Sequence, residues 1–179
     1  MYKFYLLLWL KWAARVSLCT LFSASLLSAF ITFFIYANQG FPALGSEVMN
    51  ALLEIAKFWF PLAWSLTLLL VLFRSIKYIF NTCIEGYELK LYTCDGKQML
   101  QHIGYGDLVK VWRKWFMLII WMSAAQMVLA LAFTYAFSDY ESVFEWFNIY
   151  WLFGFILLSG YFSFGILANR CKRVKIKQC

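Results

Sequence analysis

Four apolar stretches dominate this chain: Val16–Tyr36, Phe58–Phe73 (extendable back to Ala51), Phe116–Phe137 and Trp146–Ala168. A helix that crosses a bilayer needs about 20 consecutive, mostly apolar residues. Its backbone polar groups must then bond within the segment, because lipid offers no partners. The chain is 64% hydrophobic and only 14% charged, where soluble chains are about half apolar and a quarter charged. The predicted fold class is an all-α integral membrane protein, a four-span transmembrane helical bundle. One membrane domain covers 1–179, with spans near 16–36, 51–73, 116–137 and 146–168, a loop at 74–115 and a tail at 169–179.

Charge orients the spans. Fifteen of the 16 Lys and Arg residues fall at the N-terminus (Lys3, Lys11, Arg15), between spans two and three, or after span four. The other two connections carry Glu47, Asp139, Glu141 and Glu145 and no basic residue. Loops on the cytoplasmic side carry this excess of positive charge. Both termini and the 74–115 loop are therefore expected in the cytoplasm, and the expected location is a bacterial inner membrane. The net charge of +7 is read first as an orientation signal that also attracts anionic headgroups. Membrane lipids are expected partners and nucleic acid is not.

The five cysteines agree with that topology. Cys19 lies in span one, while Cys83, Cys94, Cys171 and Cys179 lie on the positive side. Disulfides persist in oxidising compartments, so none is expected. No C-x-x-C spacing suggests zinc. The apolar run near the N-terminus is too long for the core of a removable signal and is expected to stay as span one.

Several spacings read as packing faces. Ser17, Thr20, Ala24, Ser28 and Thr32 recur at three- and four-residue steps along one helical face, and small or weakly polar residues let helices approach closely in a membrane. Ser123 with Gln126 and Ser159 with Ser163 are similar pairs in spans three and four, and Gly154, Gly160 and Gly165 add close-approach points. Trp9 and Trp12 are expected at headgroup level. Glu54 and Lys57, three residues apart at the outer end of span two, form an expected interfacial ion pair, and Pro61 is expected to kink that span.

The loop between spans two and three is expected to hold a small cytoplasmic β-hairpin. Tyr87–Cys94 and Lys97–Ile103 flank Asp95-Gly96, the dipeptide that favours a type I′ turn. In that register Leu91 faces Leu100 and Leu89 faces His102. Leu89, Leu91, Tyr92, Met99, Leu100 and Ile103 are the candidate partner-binding residues, because a lone hairpin is marginal in water and needs a cover. Asp107 reads as the N-cap of the third helix.

Chemistry is sparsely represented. The single histidine, His102, lies outside the spans, so haem held by paired histidines is not expected. No span carries paired carboxylates or a nucleophile–base set. A lipid-active enzyme would have to draw on Glu85, Glu88, Asp95, His102 and Asp107. No catalytic, cofactor-binding or metal site is assigned, no cofactor is expected, and the protein is expected not to be an enzyme.

His102-Ile103-Gly104-Tyr105-Gly106-Asp107-Leu108 resembles the selectivity filter of potassium channels, whose Thr-Val-Gly-Tyr-Gly loops expose backbone carbonyls to the ion. The likeness covers about six residues and departs at His102, where the filter has threonine. The charge pattern also places this loop on the cytoplasmic side, so a Gly-Tyr-Gly turn before a helix accounts for the same residues.

These readings predict a non-enzymatic inner-membrane accessory or scaffold subunit of a larger complex in secretion, conjugation, motor or transport machinery. Its expected partners are other integral membrane or cytoplasmic proteins, and it is compatible with a homo-oligomer. The alternative is a small oligomeric transporter or ion channel using Glu54, Lys57, Gln126 and the polar stripe of span one. The topology is similar to that of the stator and energising subunits beside motors and outer-membrane transport systems, by architecture alone.

Overall fold

The structure, a computed structural model, describes residues 2–92, 104–137, 148–170 and 174–179. It is mostly helical. The helices are α1 (Tyr2–Asn38), α2 (Ser46–Ser75), α3 (Tyr105–Phe137) and α4 (Ile149–Arg170), and the strands are β1 (Tyr87–Leu91) and β2 (Val174–Gln178). Each helix is long and apolar enough to cross a membrane. The first three are longer than the apolar stretches that announce them. At 1.5 Å per residue α1 extends about 55 Å, well beyond the roughly 30 Å hydrocarbon core.

Residue contacts divide the chain into two compact units. One is Ala14–Ser75, and the other combines Met1–Ala13 with Ile76–Cys179.

In the first unit, α1 runs without Pro or Gly until Gly40, whose positive φ of 77° supplies the left-handed residue that ends many helices. The amide of Gly40 donates back to the Ala37 carbonyl at 3.1 Å. The Tyr36 hydroxyl donates to the Pro42 carbonyl at 2.9 Å, and its ring meets Phe41 edge-on. These contacts pin the turn into α2. Glu47 in the first turn of α2 complements the helix dipole, and the helix continues through Pro61 to Ser75.

In the second unit, a 3₁₀ turn at Ile76–Ile79 buries Ile76 and Ile79. Left-handed residues at Asn81, Glu85 and Gly86 then reverse the chain into β1. β1 pairs antiparallel with β2, with Leu89 opposite Ile176 and Leu91 opposite Val174. Alternate residues of a strand share a face, and Leu89, Leu91 and Val174 are all buried.

Lys90 and Lys175 stand opposite each other on the other face, an arrangement that is repulsive by itself. It is relieved because Lys90 binds Glu88 at 2.9 Å and Lys175 lies over the Tyr92 ring at 5.1 Å. α4 begins with the Asn148 side chain accepting from the amides of Tyr150 and Trp151 at 2.9 and 3.3 Å, a standard N-cap.

The expected hairpin partner of β1, Lys97–Ile103, lies outside the described residues, as do Met99, Leu100 and His102. Among the described residues, the strand paired with β1 is the C-terminal β2.

Candidate functional site

The second unit brings the polar residues of α3 and α4 together. The hydroxyls of Ser123 and Ser159 are 3.0 Å apart, and the Gln126 side-chain amide donates to Ser159 Oγ at 3.2 Å. Ser123 and Ser159 are buried. Ser163 bonds within its own helix, donating to the Gly160 carbonyl at 2.8 Å. Steps of three (Ser123 to Gln126) and four (Ser159 to Ser163) put these groups on facing stripes, where a hydrogen bond replaces an otherwise unsatisfied group in an apolar setting.

Closer to the N-terminus of α3, three aromatic rings interlock. Trp12 meets Trp115 edge-on at 5.7 Å and Phe164 edge-on at 5.3 Å, while Trp115 stacks on Phe164. Trp12 is buried among these rings rather than presented on the surface. The reason is Gly160. A Cβ added there would clash with the Trp12 indole, 2.7 Å from Cη2, so glycine lets the ring rest on the α4 backbone. Gly154 and Gly165 have open space beside them and make no such approach. Trp9 is tied to the same helix, its indole N–H donating to the Leu157 carbonyl at 2.8 Å.

The sheet forms the other half of the candidate site. Cys83 and Cys179 are joined by a disulfide, which corrects the expectation of none. The Cys179 amide also donates to the Gly86 carbonyl at 3.0 Å. Sequence spacing gave no sign of this pair, because 96 positions separate the two cysteines and strand pairing alone closes the gap. Phe4 is buried and meets Tyr87 edge-on, adding the start of α1 to the sheet. Leu89 and Leu91 are turned inward at 1% and 0% exposure, so neither is open to a partner. The exposed residues of β2 are Lys175, Lys177 and Gln178.

In the first unit, Thr20, Ala24 and Ser28 are buried, and Ser17 and Thr32 are half-buried. Ser28 Oγ donates to the Ala56 carbonyl of α2 at 2.9 Å, and Thr32 donates to the Ser28 carbonyl at 2.9 Å. Glu54 and Lys57 are both exposed and do not pair, whereas Lys90 and Glu88 do. Long side chains at an exposed helix surface gain too little from pairing to hold one geometry.

The Gly-Tyr-Gly segment opens a helix. α3 starts at Tyr105, and the Leu108 amide donates to the Gly104 carbonyl at 3.2 Å. That carbonyl is engaged in the helical ladder, which agrees with a Gly-Tyr-Gly turn before a helix, while His102 and Ile103 lie outside the described residues. Asp107 falls within the first turn of α3, past the capping position expected for it, and there it still favours the helix dipole. Among the described residues, no three His, Cys, Asp or Glu side chains gather in a way that could hold a metal ion.

Fold and site together define a multi-pass membrane protein with four candidate spans and a small two-stranded sheet. Compared with protein-family models, curated proteins and solved structures, the chain matches none.

Proposed function

We propose that this protein is a non-enzymatic accessory or scaffold subunit of a larger membrane-protein complex in a bacterial inner membrane, serving secretion, conjugation, motor or transport machinery. The observation that carries this reading is where the polar groups of the spans are used. Ser123, Gln126 and Ser159 bond across α3 and α4, and Ser28 bonds α1 to α2. Such bonds hold helices in register. With Leu89 and Leu91 buried, the partner surface moves to the exposed basic face of β2, where Lys175 and Lys177 suit an acidic segment of another protein.

The proposed orientation keeps the sheet and both termini in the cytoplasm. Fifteen cations on one side of the spans support it, while the Cys83–Cys179 bond favours an oxidising side. The charges carry more weight, because they act as the spans insert, before any thiol is oxidised. A pair within bonding reach then opens or closes with the redox poise around it.

The test is co-purification in mild detergent after in-cell cross-linking. A stoichiometric partner, lost in a K175E/K177E variant, is the expected result. A monodisperse particle that binds nothing would sink the proposal.

A further inference from the structure

Between α3 and α4 the second unit carries a groove of about 640 Å³ with a divided character. At one end stand Arg113 and Lys114, both exposed and neither ion-paired to a described residue. Beyond them the lining is apolar: Met117, Leu118 and Trp121 from α3, with Ile166 and Leu167 from α4. No carboxylate is among these residues. From Arg113 to Trp121 the groove follows eight residues of helix, or about 12 Å. Lys110, one turn before Arg113 and Lys114, extends the cationic end along the same helical face.

We infer that this groove is a binding site for one anionic phospholipid, its phosphate held by Arg113 and Lys114 and an acyl chain laid along Met117, Leu118, Trp121, Ile166 and Leu167. Two like charges side by side at a membrane interface repel unless an anion lies between them. A guanidinium can take a phosphate by two parallel hydrogen bonds, and an ammonium adds a point charge. A soluble anion would leave the apolar length of the groove unmatched, and a neutral lipid would leave the cations unmatched. Basic pockets between membrane helices take anionic headgroups for this reason. The inference is independent of the proposed function and of which side of the membrane the sheet occupies.

The experiment uses the purified full-length protein and titrates phosphatidylglycerol against phosphatidylcholine, reading bound lipid by native mass spectrometry. The wild type is expected to prefer phosphatidylglycerol by about tenfold or more, at roughly the strength of one or two basic contacts. An R113Q/K114Q variant should lose that preference. A K175Q/K177Q variant, equally reduced in charge but outside the groove, should keep it to within about twofold. Ile166→Trp, which fills the apolar length without touching charge, should weaken both lipids.

Equal losses in the two charge variants would show attraction by net charge alone and overturn the site. So would a wild type that does not discriminate between the lipids, or a groove closed by a second copy of the chain, seen as a lipid-free dimer. Retained helicity and a closed Cys83–Cys179 bond establish that each variant is folded.

Discussion

Cys83 and Cys179 are bonded across 96 positions of sequence, and the bond closes a five-residue ladder between the strand after α2 and the last strand of the chain. The carboxyl terminus is thereby held against the turn at Gly86, and one covalent loop encloses both α3 and α4. The proposed orientation and this bond together predict a dependence on conditions. Acid-quenched, alkylated cells should show both thiols reduced, and the air-exposed purified protein should show them bonded. A bond already closed in cells would place the sheet on the oxidising side and invert the orientation.

Breaking the bond should also loosen the sheet. Cys179→Ser removes a constraint worth about 2–4 kcal/mol in chain-entropy terms. The lower end is expected here, because inserted helices already limit the unfolded chain. Proteolysis of the tail in detergent, with and without reductant, checks this. Equal cleavage of the wild type and the variant would show that the ladder alone holds β2.

Gly160→Ala should destabilise by about 1–3 kcal/mol, the cost of forcing a methyl group into a packed contact, because the Trp12 indole occupies that space. Gly165→Ala is the matched control. Its neighbourhood is open, so it should be neutral or gain a few tenths of a kcal/mol toward the ordinary helical preference for alanine. Unfolding in a denaturing detergent titration separates the two. Similar behaviour would remove the close approach of Trp12 to α4.

Ser159→Ala takes a partner from both Ser123 and Gln126 and should cost about 1 kcal/mol, in line with hydrogen bonds between membrane helices. Ser163 donates to a carbonyl three residues back in its own helix, so Ser163→Ala should cost less. A double-mutant cycle between Ser123 and Ser159 should return a coupling of about 0.6 kcal/mol, and a value of zero would deny their contact.

Glu54 and Lys57 should show no coupling. Both are exposed and unpaired on α2, so Glu54→Gln, Lys57→Gln and the double variant should be additive within about 0.3–0.5 kcal/mol. Reconstituted vesicles should also show no cation flux that Glu54→Gln abolishes. Such a flux would revive the transporter alternative.

Length and apolarity alone determined that this chain has four candidate membrane helices, because a segment in lipid must satisfy its own backbone and only a long apolar helix does so. Helical spacing also marked Ser123, Gln126, Ser159 and Ser28 as residues able to meet across helices, since their periodicity is local. The tertiary structure decided what depends on residues far apart in the chain. The Asp95-Gly96 turn signal is local and points to a hairpin strand at Lys97–Ile103, outside the described residues, whereas the ladder sets Leu89 and Leu91 opposite Ile176 and Val174, residues more than 80 positions away that no local signal joins to them. The same holds for the burial of Trp12, which follows from a glycine 148 positions away, and for the disulfide, which exists because strand pairing carries Cys179 to Cys83. Local periodicity specifies helices because each bond in a helix spans four residues. A sheet, a ring cluster or a disulfide joins groups whose meeting is decided only when the whole chain packs.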